Sequence, residues 1–329
     1  MYDWKRTMQQ CLIRLPLAGG LLLTVLTLGS LLGEFYWGFD VLSHFNLQYT
    51  AGLGLCLLTG LFLQHRRLST LALLPALLVN IAILAPFFLP QASAHQSAST
   101  PLRVISINVF TENEAHNAVI DFIVETNADI VFLSEVEPAL MAQLDREIGE
   151  IYPYVHDESV RGTLGLAFIS QHPFIAAQTI RLEGRRRRLI TASLDWQGTP
   201  VQIYGMHPLP PLNQRWATQR NSEIETIQDI LQDIPKPVIL AGDFNASPWS
   251  YPLRRLNDET PLRHAALGYG IWPTWQYGTV LLSAPIDHIF VSLEWAVTSY
   301  AARSDAKLGS DHKPIIADLL LKQASIGVQ

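Results

Sequence analysis

Three long uncharged apolar blocks at the head of the chain constrain its fold more than any other feature. Leu15–Gly33 and Phe45–Leu63 each run 19 residues without Asp, Glu, Lys or Arg, and Leu68–Pro90 runs 23. A helix needs ~20 apolar residues to cross the hydrocarbon core of a bilayer, so each block is long enough. A single cleavable signal accounts poorly for three such blocks in succession. Length and hydropathy therefore predict a membrane domain, residues 1–90, with three transmembrane helices. His44, Asn46, Gln48 and Pro75 weaken the second and third blocks, and a buried helical core is the competing account.

The basic residues predict an orientation. Lys5, Arg6 and Arg14 precede the first block, and His65-Arg66-Arg67 joins the second to the third. The loop between the first two, Glu34–Asp40, has neither Lys nor Arg but has aromatic residues suited to an interface. Positive-inside bias then puts the N-terminus in the cytoplasm, and three crossings deliver the rest of the chain to the opposite side. The expectation is a multi-pass protein of the inner (plasma) membrane with an extracytoplasmic, periplasmic soluble part. No acid or base lies within the blocks, which argues against an ion path and so against a transporter.

Residues 91–101, "QASAHQSASTP", read as a linker. The first hundred residues take five of the 23 Lys/Arg and three of the 29 Asp/Glu. The remainder holds 18 basic against 26 acidic residues, a net of −8. Avid non-specific duplex binding, which depends on neutralising phosphates, is disfavoured. Both cysteines, Cys11 and Cys56, belong to the apolar part, so the soluble part can build neither a disulfide framework nor thiol chemistry.

After the linker, strand-like runs alternate with amphipathic stretches. "LRVISINVF", "DIVFLSEV", "LGLAFIS", "PVILAGDF", "PIDHIFV" and "KPIIADLLL" read as strands, and "RLITASLDW" with "PVQIYGM" as a hairpin around "WQGT". Residues 115–127 and 214–232 read as helices, and 251–284 as loop-rich. One α/β domain with two packed sheets, residues 102–323, follows from that order.

Polar residues recur where these strands end. Asn108 closes the first strand, Glu135 sits late in the second, and His207 follows "IYGM". Asp243 and Asn245 leave the apolar run "VILAG", where period-two geometry puts them on one side of the chain. Asp287 lies in "PIDHIF", and Asp311 and His312 precede "KPIIADLLL". Singly, each is an ordinary turn former. Together they supply oxygen ligands for a hard divalent cation and groups to activate water against a phosphate.

Asn108, "SEV", "GMH", "GDFNA", "IDHIF" and "GSDHKPI" together resemble the endonuclease/exonuclease/phosphatase superfamily, in order along 101–329. The resemblance implies a four-layer α/β sandwich, two mixed sheets between helical layers, with the site at one sheet rim. It implies Mg2+, with Mn2+ as an alternative, at Asn108, Glu135 and Asp311. It implies that His312 faces the scissile phosphate, oriented by Asp287, and that Asp243 aligns or deprotonates the attacking water. Asn245 and His207 would contact the phosphate.

Two places depart from the family pattern. Phe110 stands where many nuclease members have an acid, with Asn113 as a substitute amide, and only Tyr154 and Arg161 offer themselves for a mid-domain phosphate contact. The substrate expected is a phosphodiester in nucleic acid, with a lipid or small phosphoester as the alternative. A non-catalytic module binding an anionic partner is the competing class. The run "EGRRRR", ending in Arg185–Arg188, reads either as a solvated hairpin loop or as an anion contact, with the loop preferred. Arg215 and Arg220 read equally as phosphate contacts or helix surface.

Overall fold

A computed structural model of the chain describes residues 4–62, 66–91, 100–182, 187–232 and 237–322. The chain divides into two compact units, Met1–Phe88 with Trp249–Tyr251, and Leu89–Pro248 with Pro252–Gln329.

In the first unit, the apolar blocks form α1 (Trp4–Ser30), α3 (Asn46–Leu61) and α4 (Arg66–Leu84), with a 3-10 turn over Ala85–Phe87. The stretch expected to be loop between the first two blocks carries a short helix, α2 (Trp37–Ser43). Helices α3 and α4 pack through Leu53, Leu73 and Ala76, with Leu23 of α1 against them. Polar groups turn inward: Asn80 Nδ2 donates to Thr27 Oγ1 at 2.8 Å. Leu22, Val25, Leu55, Leu58, Leu71 and Leu78 are exposed.

The three-span expectation is corrected here. Among the described residues, one helix, Ser69–Phe87, is long and apolar enough to cross a membrane, by length and composition only. Leu15–Ser30 is shorter, and α3, at 16 residues, rises about 24 Å at 1.5 Å per residue. His65 and residues 92–99 of the expected linker lie outside the described residues.

The second unit begins with β1 (Leu102–Asn108), α5 (His116–Thr126), β2 (Ile130–Ser134), α6 (Pro138–Ile148), β3 (Tyr154–Glu158) and β4 (Leu166–Ser170). Then come β5 (Phe174–Arg181), β6 (Arg188–Trp196), β7 (Thr199–Met206), α7 (Gln214–Gln232) and β8 (Val238–Asp243). The stretch expected to be loop holds α8 (Tyr251–Glu259), β9 (Leu262–His264), β10 (Trp275–Gln276) and β11 (Ser283–Ala284). The chain closes with β12 (Asp287–Ser292), β13 (Trp295–Ala302) and β14 (Ile315–Leu321).

Two six-stranded mixed sheets result, ordered β13-β14-β1-β2-β4-β3 and β5-β6-β7-β8-β12-β9. Each is flanked by helices. Helices α5 and α6 bury Val119, Ile123, Leu140 and Leu144 against Ile105, Val131 and Ile169 of the first sheet. Helices α7 and α8 bury Ile224, Ile227, Leu253 and Leu256 against Tyr204, Leu240 and Phe290 of the second. The sheets meet where Gly205 of β7 comes against Phe132 and Phe168, so closely that an added Cβ would lie 2.3 Å from the Phe132 ring. The β6–β7 hairpin turns on Gln197 and Gly198, both at positive φ, as expected around "WQGT".

This topology places the strand-end residues. Each sheet contains one parallel pair, β1–β2 and β7–β8, whose carboxyl ends carry Asn108, Glu135, His207 and Asp243. β12 runs antiparallel to β8 and β14 antiparallel to β1, so their amino ends, with Asp287 and His312, reach the same rims.

Candidate active site

Asn108 ties the two sheets together at this rim. Its Nδ2 donates to Glu135 Oε1 at 3.1 Å and to Asp243 Oδ2 at 3.0 Å, while its Oδ1 accepts the Phe110 N–H at 3.0 Å. The Phe110 bond fixes the amide orientation, because a backbone N–H can only donate. Asn108 therefore offers hydrogens to the two carboxylates, and its oxygen, the expected metal ligand, is turned to Phe110. Glu135 sits just past β2 at φ 57 and also accepts the Thr111 N–H at 3.2 Å. That left-handed kink turns the side chain out of the strand alternation.

Asp243 ends β8, opposite Asp287 in the antiparallel β8–β12 register, and is 1% exposed. Gly242 before it admits no side chain, since a Cβ would lie 2.0 Å from the Met206 carbonyl oxygen. Asp243 Oδ1 accepts the Asn245 N–H at 2.9 Å, which closes the "GDFN" turn with Asn245 at φ 50. The Asn245 side-chain amide donates to the Pro208 carbonyl at 3.1 Å. Burial raises the Asp243 pKa; His312 opposes that shift and Asp287 adds to it.

His312 Nδ1 lies 2.8 Å from Asp287 Oδ2, and its Nε2 lies 3.7 Å from Asp243 Oδ2. Burial pushes this imidazole toward neutrality, but Asp287 and Asp243 outweigh it and raise the pKa, so the ring is a cation held between two acids. Ser310 sets its approach, donating to the Asn108 carbonyl at 2.7 Å and accepting the His312 N–H at 3.0 Å. His207 Nε2 stands 3.4 Å from Asp243 Oδ2 and 3.7 Å from Glu135 Oε1. Burial first, then Arg187 and His312, lower its pKa well below the ordinary value. It is the neutral imidazole of the pair.

The structure thus brings Asn108, Glu135, His207, Asp243, Asn245, Asp287 and His312 into one connected cluster. Asp311 is exposed, and its carboxylate accepts from Trp275 Nε1 at 3.0 Å rather than joining Asn108 or Glu135 by any contact among the described residues. Asn113 is spent on structure, donating to the Val109 and Leu308 carbonyls at 2.8 and 2.7 Å. Tyr154 lies on the β3 edge strand and Arg161 on an exposed loop.

The arginines divide. Arg215 is exposed, while Arg220 is fully buried and donates to the Asn245 carbonyl at 3.0 Å. Arg185 and Arg186 lie outside the described residues, but Arg187 is buried and donates to the His207 carbonyl at 2.6 Å. Arg188 pairs with Glu158. The preferred solvated-loop reading of this run is wrong for Arg187. A sequence of four arginines gives no sign of which one turns inward.

The donor set suits a hard cation. Asp243, Asp287 and His312 place ligand atoms within 4.8 Å of one another and could hold a metal ion. The protonated His312 is satisfied by Asp287, however, which leaves Glu135 and Asp243 as the carboxylates whose crowding a cation would relieve.

A family model described as "Endonuclease/Exonuclease/phosphatase family" matches residues 105–312. Solved structures share the fold. D. rerio TDP2 complexed with single strand DNA product is 17% identical, covering 68% of this chain and 100% of that one, with a TM-score of 0.59. The human Nocturnin catalytic domain with bound sulfate anion is 19% identical, covering 67% and 94%, at 0.54. Sphingomyelinase C from Streptomyces griseocarneus is 17% identical, covering 67% and 99%, at 0.52. No curated protein matches the sequence.

Proposed function

The chain belongs to the endonuclease/exonuclease/phosphatase family, and from that premise we propose that it is a divalent-metal-dependent phosphohydrolase acting by attack of activated water. One observation carries the reading: the His312–Asp287 pair, 2.8 Å apart, stands beside Asp243 at the rim that also holds Glu135 and Asn108. A phosphoryl centre needs positive charge on its equatorial oxygens and a proton acceptor on the in-line water. Protonated His312 supplies the charge, and Asp287 keeps it oriented and protonated. Asp243, buried beside His312, accepts the proton of the in-line water. Asn245 and neutral His207 donate to phosphate oxygens. Glu135 and Asp243 would hold Mg2+ or Mn2+, which would neutralise developing charge on the phosphate.

The substrate proposed first is a phosphodiester in nucleic acid. A second reading, a lipid or small phosphoester, is favoured by a cavity of about 460 Å³ beside Glu135, lined by Glu112, Glu114 and Glu137 with Phe110 and His116. Such a lining repels a long polyanion more than a zwitterionic phosphoester, whose cationic group it attracts. The three relatives above, one complexed with DNA and one a sphingomyelinase, share a fold that admits either. Turnover of DNA, RNA, sphingomyelin, inositol phosphates and bis-p-nitrophenyl phosphate with Mg2+ or Mn2+ decides between them. No turnover of any, with Asp243→Ala as the control, rejects the enzyme in favour of an anion-binding module.

The same proposal anchors the chain in the inner membrane through its N-terminal helices, with the catalytic part periplasmic. Support comes from the inside-out pattern of the first unit, polar Asn80 and Thr27 bonded inside and leucines outside. With one crossing by α4, Lys5, Arg6, Arg14, Arg66 and Arg67 all precede the apolar span, and their charge puts that side in the cytoplasm. A C-terminal reporter active only in the cytoplasm, if it lights up, refutes this placement.

A further inference from the structure

His264 and His288 form a hydrogen-bonded chain that the proposed reaction does not use. The Ala266 N–H donates to His264 Nδ1 at 3.0 Å, His264 Nε2 lies 2.8 Å from His288 Nδ1, and His288 Nε2 lies 2.7 Å from the Ala246 carbonyl oxygen. These partners fix both tautomers. A backbone N–H can only donate, so His264 Nδ1 is bare and its proton sits on Nε2. That proton fills His288 Nδ1, which leaves the His288 proton on Nε2 to serve Ala246. Both rings are buried, and burial lowers both pKa values, which keeps them in the neutral form this chain requires.

The far end of the chain lands on the "GDFN" turn. Two successive carbonyls there receive buried donors, Asn245 from Arg220 at 3.0 Å and Ala246 from His288 at 2.7 Å. Between them they fix a peptide that follows a left-handed asparagine at φ 50. Such a conformation costs roughly 1–3 kcal/mol and persists only where its surroundings hold it. Successive residues of a strand point to opposite faces. Asp287 turns to His312, so His288 turns away, onto Phe244 and Phe290 with ring centroids 5.7 and 5.8 Å apart. From that side it cannot touch a substrate.

We propose that His288, backed by His264, is a positioning residue: its Nε2–H grips the Ala246 carbonyl and thereby sets the adjacent Asn245 at the reaction centre. The role rests on the phosphohydrolase reading of that site. It predicts that a residue on the non-reacting face of β12 controls turnover rather than substrate binding.

The test uses the full-length protein in lipid nanodiscs with Mg2+, on whichever phosphoester the wild type turns over. His288→Phe keeps the ring volume and removes the donor, and His288→Gln keeps an N–H at the reach of Nε2. His288→Phe should lower kcat about 30-fold with KM within about twofold, and His288→Gln should recover all but about fivefold. In an Asn245→Ala background the same His288→Phe change should cost less than about twofold, because the donor it positions is already gone. If His288→Phe fails to fold, His288→Asn, too short to reach Ala246, takes its place with the same expected loss. Wild-type kcat in these variants, or an equal loss in both backgrounds, overturns the positioning role while leaving the enzyme reading intact. A wild type inactive on every substrate removes both.

Discussion

Asp243 and Asp287 face each other as register partners across two antiparallel strands, and the imidazole of His312 is hydrogen-bonded to the second and 3.7 Å from the first. Two buried carboxylates this close share one cation, and the charge of each group depends on the others. Replacing Asp287 by Asn removes one of the two carboxylate charges that together outweigh burial at His312. We expect kcat to fall about 10²–10⁴-fold, in line with losing an oriented acid–base partner. The surviving activity should lose its alkaline limb at lower pH than the wild type, because His312 then deprotonates earlier. A pH–rate profile of Asp287→Asn reads both effects.

Metal removal is the second test. Excess chelator should abolish turnover, and Mg2+ or Mn2+ should restore it. Independently of activity, added metal should raise the thermal midpoint, since a ligand at a hundred times its Kd stabilises by ~2.7 kcal/mol. Glu135→Gln should lose most of that rise. Trp275→Phe should keep it, because the Trp275 indole N–H bonds the exposed Asp311 carboxylate rather than Glu135 or Asp243.

Acid stability should track the buried histidines. His264 and His207 are held well below the ordinary imidazole pKa by burial, and His288 is lowered to about 4. A lowered folded-state pKa means the unfolded chain binds protons first, so the stability linked to His288 is full above about 6.5 and is lost as pH falls toward 4. That loss amounts to about 3 kcal/mol for His288. Urea unfolding at pH 7 and pH 4 should show it, and His288→Phe should flatten the slope.

Arg187 offers a stability prediction. Its guanidinium is buried, bonds the His207 carbonyl at 2.6 Å, and lies near Glu223, Asp243 and Glu135. Arg187→Met should destabilise the soluble part by ~2–4 kcal/mol through an unpaired carbonyl and an uncompensated acidic cluster. Arg188→Met, which loses a pair with Glu158 nearer the surface, should cost ~1 kcal/mol or less. Equal small effects would show that both arginines are solvated.

The sheet interface gives a check on the fold itself. Gly205→Ala would press a Cβ against Phe132 and Phe168 of the facing sheet and should cost ~1–3 kcal/mol by overpacking. Gly198→Ala, whose Cβ would meet nothing within 4 Å, carries only the backbone strain of its positive φ.

Local pattern determined much of this protein. The apolar runs fixed the helices and the buried strands, because hydrophobic periodicity is written residue by residue. The Gln197-Gly198 turn fixed the β6–β7 hairpin register. The polar residues at strand ends marked a rim, since Asp, Asn and His stand out against Val-Ile-Leu strands. Tertiary structure decided what no period encodes. It set which strands are neighbours and therefore that residues as far apart as Asn108 and Asp243 share a hydrogen bond. It turned Arg187 inward and left Arg215 outside, although both follow a polar residue in the chain. It gave His288 and His264 to the back of the site, where burial rather than residue type sets their charge. Pairings across a sheet and the exposure of a side chain are properties of the packed chain, and the sequence states them only after it has folded.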